Sequence, residues 1–228
     1  MEWLSMDDGV KLYLRQWLIS EEEASGKMPI RGVVHIVHGM AEHSGRYARL
    51  AKKLNAEGFE VWAADQRGHG HTADTSVNDP GKGGLLGHCH DTDGFGRVTA
   101  DIDIINREIL KEYPGVPLFL LGHSWGSFIV QNYIESFCTG PDPVKLAGCI
   151  LSGTRGPAGI QASAGFPFMS FLALVRGKRK RSKLAWAMAD GQYNKPFRPN
   201  RTSADWLSRD TAEVNAFILD PLCGKLCS

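Results

Sequence analysis

The chain has 228 residues, about one and a half times an ordinary single domain, which predicts one domain carrying a long insertion. At 43% hydrophobic and 22% charged it is neither disordered nor fibrous, and 26 basic against 25 acidic residues, a net +1, remove the electrostatic case for a nucleic-acid partner. Five scattered cysteines, an odd number, exclude a disulfide framework and point to a reducing, cytoplasmic compartment.

Residues 1–8 carry Glu2, Asp7 and Asp8 without a basic head or an apolar core, so no secretory signal is expected. The Asp8-Gly9 turn signal opens a loosely alternating strand over residues 10–19. Glu21, Glu22, Glu23, Ser25 and Gly26 make a solvated turn, and a short apolar strand over 33–37 then ends at His38-Gly39. Tyr47, Leu50, Ala51 and Leu54 share one face of a helix over 47–57, followed by an apolar strand at 59–64. Strand, helix, strand with short connections is a βαβ unit, which implies parallel strands. Val98, Ile102, Ile105 and Ile109 mark the next helix, which should stop near Tyr113-Pro114-Gly115. A strand at 117–121, a helix at 126–137 and a buried strand at 146–152 complete the pattern. Continuous apolar strands of this kind belong in a sheet covered on both faces. The expected class is α/β, a mostly parallel sheet flanked by helices.

The alternation stops after Gly153. Residues 156–205 are read as a cap inserted over a core formed by residues 1–155. The cap holds an apolar run at 166–175, shorter than the roughly 20 residues a membrane-spanning helix needs. It also holds Pro196, Pro199 and the cations Arg176, Lys178, Arg179, Lys180, Arg181 and Lys183. That cluster reads as a solvated loop or, beside the apolar run, as a patch for peripheral contact with an anionic membrane. Residues 206–228 follow the cap, with a helix over 206–221 that places Val214, Phe217 and Ile218 on one side.

Gly122-His123-Ser124-Trp125-Gly126 fits G-x-S-x-G between a predicted strand and a predicted helix. Small residues at 122 and 126 permit a tight turn that presents the Ser124 hydroxyl at a helix amino terminus, where peptide dipoles favour developing negative charge. His38-Gly39-Met40 follows the 33–37 strand, where the backbone N–H of Met40 could join that of Trp125 as two donors to one oxyanion. Either segment alone could be a simple turn. Together they specify acyl-transfer chemistry.

His38-Gly39-Met40-Ala41-Glu42-His43-Ser44-Gly45-Arg46-Tyr47 resembles the oxyanion segment of monoacylglycerol lipases and their lysophospholipase-like relatives, in the serine-aminopeptidase-like branch of the α/β-hydrolases. Asp65-Gln66-Arg67-Gly68-His69-Gly70 is similar to their turn after the fourth strand. The stretch from Leu207-Ser208-Arg209-Asp210 to Asp220-Pro221-Leu222-Cys223 is similar to the helix after their cap. The resemblance implies a serine esterase of the α/β-hydrolase fold that cleaves single-acyl lipids through an acyl-enzyme on Ser124, without metal or organic cofactor. It makes Met40 and Trp125 the oxyanion donors and puts Glu42 and Arg46 near the polar glycerol end of the site. Trp125 and Ser127 stand where Met and Gly are common in the lipases, and Ser-Trp-Gly-Ser is also similar to proline iminopeptidases, so an aminopeptidase remains a competing expectation.

The family places its acid and histidine on loops after the cap, in the order Ser, acid, His. No histidine follows His123, so the expectation is a domain without its last strands and with an incomplete triad. A catalytically silent fragment or lipid-binding relic is thus the alternative to an active esterase, and the 146–152 strand is expected to leave an edge that promotes self-association. His88-Cys89-His90 with Asp91 is too tightly spaced for a tetrahedral metal cage. Cys223 and Cys227 are expected to bind no metal, Asp65 to stabilise a turn, and Gly68 with Gly70 to form no dinucleotide fingerprint.

Overall fold

The computed structural model describes residues 2–19, 29–156, 175, 177–180 and 193–224. β1 (Glu2–Ser5) and β2 (Lys11–Trp17) form an antiparallel hairpin that pairs Leu4 with Leu12. The sequence gives β1 no signal because Glu2 and Ser5 frame only two apolar residues. Its register is set by the turn, where Met6 N–H donates to Val10 O at 2.7 Å and Gly9 takes a φ of 84°. Leu4 then packs against a core that contains Met6, Leu12 and Leu14.

The expected alternation follows: β3 (Gly32–Val37), α1 (Ala48–Asn55), β4 (Phe59–Asp65), α2 (Gly94–Glu112), β5 (Leu118–His123), α3 (Trp125–Phe137) and β6 (Gly148–Ser152). The sheet order is β1-β2-β4-β3-β5-β6, with β2 antiparallel to β4 and every pair from β4 to β6 parallel. Period-two side chains separate the two faces. Val34, Ile36, Val61 and Ala63 pack on Ala51 of α1. Val33, Trp62, Ala64 and Leu118 meet Ile105 and Ile109 of α2, while Val37 and Leu120 meet Ile129, Val130 and Tyr133 of α3. The chain leaves β3 for β4 on one side and later returns to β5 on the other. Ligand crevices form at such reversals, outside the carboxyl ends of the strands.

β6 lies at the sheet edge among the described residues, the position expected for the 146–152 strand, but it is not buried. Ile150 is 54% exposed and Leu151 36%, because β6 pairs with β5 on one side only. The helix expected over 206–221 is also broken. A 3-10 turn at Asp205–Leu207 is separated from α4 (Thr211–Leu219), because Asp210 takes extended backbone and its carboxylate caps the Ala212 N–H at 2.9 Å.

Of the cap cations, Lys178 donates to Asp91 O at 3.0 Å and Arg179 pairs with the Asp91 carboxylate, so both turn toward a core loop. The apolar run at 166–174, Arg176, Arg181, Lys183, the 21–26 turn and Cys227 lie outside the described residues. Among the described residues no helix is long and apolar enough to cross a membrane.

One buried ion network joins the β1–β2 turn to α2. Arg67, fully buried, donates to Asp8 at 2.7 and 2.9 Å and through Nε and Nη2 to Asp101, both at 2.7 Å. The hydrogen bonds from Arg67 hold the Asp8 carboxyl down to about 2, below its ordinary 3.8, although partial burial opposes this. A depressed carboxyl contributes stability that is present above its unfolded value and lost as pH falls through its folded one. The urea midpoint of the native chain should therefore fall more steeply between pH 4 and pH 2 than that of Asp8→Asn. Parallel acid limbs would show that Asp8 does not carry this dependence.

Candidate active site

β3 and β5 are neighbours in register, Val37 opposite Gly122, so the segments that follow them emerge side by side. Ser124 lies between β5 and α3 with φ 51° and ψ −119°, a backbone that a residue with a Cβ adopts only under constraint. The constraints are visible. Ser124 N–H donates to Ser152 O at 2.8 Å, and its carbonyl accepts from Ser127 N–H at 2.9 Å and from Ser127 Oγ at 2.5 Å. The flanking glycines are sterically required. A Cβ on Gly122 would lie 2.6 Å from Gly126 O, and one on Gly126 would lie 2.5 Å from His38 O. Ser127 thus does more than fill a position: its hydroxyl fastens the turn.

The loop after β3 packs against this elbow. A Cβ on Gly39 would stand 3.4 Å from His123 O, which places the Met40 turn beside the first turn of α3. Neither Met40 N–H nor Trp125 N–H has an acceptor among the described residues. Ser124 and Trp125 thus stand at the head of α3, and Met40 follows a glycine that packs on the residue before Ser124.

Glu42 is buried and turned into its own loop. One carboxylate oxygen accepts from Gly39 N–H at 2.6 Å and Tyr47 OH at 2.9 Å, and the other pairs with Arg46. Burial opposes its charge, but His38, Arg46, the Gly39 N–H and the Tyr47 hydroxyl together outweigh it and hold the carboxyl below its ordinary value. Asp65 has a similar structural setting: it accepts from Ser44 N–H at 2.9 Å, Arg15 at 2.7 Å and His71 N–H at 2.8 Å.

His35, His38, His43, His69, His88 and His123 have ring-nitrogen partners other than the Ser124 hydroxyl. His35 bonds Asn106 at 2.7 Å deep in the core, where burial lowers it to about 4. His38 uses both nitrogens, Nδ1 toward Gly39 O at 2.7 Å and Nε2 accepting from Gln66 N–H at 3.0 Å. His69 donates to Arg67 O at 2.9 Å and stacks on Trp125 at 5.5 Å, and burial lowers it to about 4. His88 bonds Asp91, and His123 bonds Ser152 Oγ at 3.2 Å. His43 donates from Nε2 to Asp220 at 2.8 Å, an acid–imidazole pair whose other ring nitrogen accepts from Gly45 N–H at 3.2 Å. Among the described residues no imidazole is hydrogen-bonded to Ser124 Oγ. The His43–Asp220 pair could not be read from the sequence, since its members stand 177 residues apart.

A family model described as serine aminopeptidase, S33, matches residues 28–228. The chain is 33% identical over 199 residues to a monoacylglycerol lipase of Mycolicibacterium smegmatis, covering 86% of this chain and 58% of that one. It is 32% identical over 129 residues to the monoglyceride lipase of Homo sapiens, covering 54% of this chain and 34% of the relative. The chain thus spans little more than half the length of these curated relatives, or less. A thermostable carboxyl esterase from Bacillus coagulans, solved in complex with glycerol, superposes with a TM-score of 0.80 at 28% identity, covering 99% of this chain and 67% of that one. The α/β-hydrolase fold is shared across that likeness.

Proposed function

The chain belongs to the serine aminopeptidase S33 family of hydrolases, and from that membership we propose that it is a serine hydrolase cleaving the carboxylic ester of a single-acyl lipid, a monoacylglycerol or a lysophospholipid. The observation that carries this reading is Ser124, held at φ 51° between β5 and α3 by Ser152 and Ser127; we take the N–H groups of Met40 and Trp125 as its oxyanion donors. Ser124 Oγ attacks the ester carbonyl and gives up its proton to a base, and the carbonyl oxygen gains charge between the two donors. Collapse breaks the ester C–O bond and expels the protonated alcohol. Water then cleaves the acyl-serine and releases the fatty acid. Glu42 and Arg46 serve this chemistry by holding the loop that carries Met40. The names of the curated relatives favour an ester over an amide substrate.

A second reading is favoured by the absence of any described imidazole bonded to Ser124 Oγ: a chain of this fold that binds lipid ester without turning it over. Incubation of the full chain with a monoacylglycerol and with a prolyl amide separates the readings. Glycerol release that disappears in Ser124→Ala supports the esterase, and preference for the prolyl amide points to an aminopeptidase. A folded chain that binds the lipid but releases no glycerol supports the second reading and overturns the first.

We also infer that copies of the chain associate through β6. Its segment, Gly148–Ser152, has no charge and no proline, and such edges pair readily with other strands. Ile150→Lys should lower the mass measured by light scattering at high concentration. A native chain that is already monomeric there would contradict the inference.

A further inference from the structure

Four contacts tie the loop after β3 and the first turn of α1 to the chain around α4, and they run in antiparallel order. Arg49 pairs with Glu213 at 2.5 Å, and the Arg46 guanidinium lies 5.0 Å over the Phe217 ring. His43 Nε2 donates to Asp220 at 2.8 Å, and Gly224 N–H donates to Ala41 O at 2.8 Å. The last contact falls on a strained residue. Ala41 is buried at φ 57°, in the left-handed region, and directly follows Met40. A non-glycine residue stays there only when its surroundings over-determine it.

The polarity at His43 fixes the direction of the central bond. Gly45 N–H donates to Nδ1, so the ring proton sits on Nε2 and points at Asp220. Asp220 is itself fixed, because its other oxygen accepts Leu222 N–H at 2.8 Å. The same polarity argues against a metal, although the donor atoms of His43, Asp220 and Cys223 lie within 4.8 Å of one another. A ligating nitrogen must present a lone pair, whereas here Nδ1 accepts from Gly45 N–H and Nε2 carries its proton to Asp220.

We propose that Asp220 is a positioning residue for oxyanion stabilisation: through its hydrogen bond to His43, with Gly224 on Ala41 as the adjoining tie, it fixes the direction of the Met40 N–H. This rests on the reading of Ser124 as nucleophile. The acid works at a distance, through the loop, and touches no reacting atom. Deleting an oxyanion donor outright costs about a hundredfold or more in rate. A donor that is present but misaimed retains part of that stabilisation.

The test uses the full chain, an alkyl fluorophosphonate and amide hydrogen exchange. Asp220→Ala should lower the maximal rate of Ser124 phosphonylation by about tenfold, leave the half-saturating probe concentration unchanged, and speed exchange in the peptide spanning Met40 and Ala41. Asp220→Asn can still accept from Nε2 through its amide oxygen and should restore both readouts. If Asp220→Ala does not fold, Asp220→Ser replaces it, since serine can still cap Leu222 N–H but cannot reach His43. Unchanged exchange at Met40 and Ala41 in the shortened variant overturns the proposal, as does an asparagine variant that falls as far as alanine. A folded native chain that takes no probe overturns the Ser124 reading instead, and exchange alone then decides the role of Asp220.

Discussion

Replacing Ser124 with alanine should abolish covalent capture of the fluorophosphonate while the protein stays folded. On the proposed reading the Ser124 hydroxyl, at the head of α3, is the reacting group. Losing a serine nucleophile costs at least about a thousandfold in rate, because what remains is stabilisation by the oxyanion donors alone. The native fold does not need the hydroxyl: the turn is held by Ser124 N–H on Ser152 O and by Ser127 on the Ser124 carbonyl. Glycine extends the experiment. At φ 51° a Cβ is strained, so Ser124→Gly should be more stable than Ser124→Ala by about 1 kcal/mol, with labelling equally lost. Mass spectrometry of the labelled chain and urea melts of both variants read the two effects separately. Labelling that survives in Ser124→Ala would remove Ser124 from the chemistry.

Arg67→Ala should destabilise the fold by about 3 kcal/mol, read as a lower urea midpoint. The guanidinium is fully buried and offers a planar fork to two carboxylates at once. Truncation leaves Asp8 and Asp101 facing each other across a cavity without the cation. Even beside Arg67, burial pushes the Asp101 carboxyl up to about 6, so without it this group would escape by taking a proton. Protonation keeps the loss near the lower end of the range for a broken buried pair. Lysine should rescue little, because a single ammonium cannot span both carboxylates in the bidentate geometry. A loss below about 1 kcal/mol would mean the network is replaceable by water or repacking.

Arg67 shows where sequence reading stops. It stands in the Asp65–Gly70 turn, whose pattern is legible, yet its partners lie at Asp8 and Asp101, and nothing local announces them. The 146–152 segment, expected at an edge, shows the limit for burial. Its composition is that of a buried strand, but burial depends on what lies beyond the edge, and β6 has a partner on one side only among the described residues. β1 was missed because two apolar residues carry no period, while the turn at Gly9 that pairs it with β2 is a property of the hairpin.

Features governed by short-range rules could be read directly from the residues. Period-two and helical stripes placed β3, α1, β4, α2, β5 and α3, and the sterics of Gly122 and Gly126 marked Ser124 as the residue at the strained turn. How distant segments meet emerged only in the folded chain. Folding turned Glu42 into its loop, occupied both ring nitrogens of His38 and His43, set Ser127 on the Ser124 carbonyl, and laid Asp220 and Gly224 against His43 and Ala41. Separation along the chain accounts for the difference. A backbone dihedral or a side-chain period is fixed by near neighbours, whereas a hydrogen bond across 177 residues exists only after the sheet has brought its two ends together.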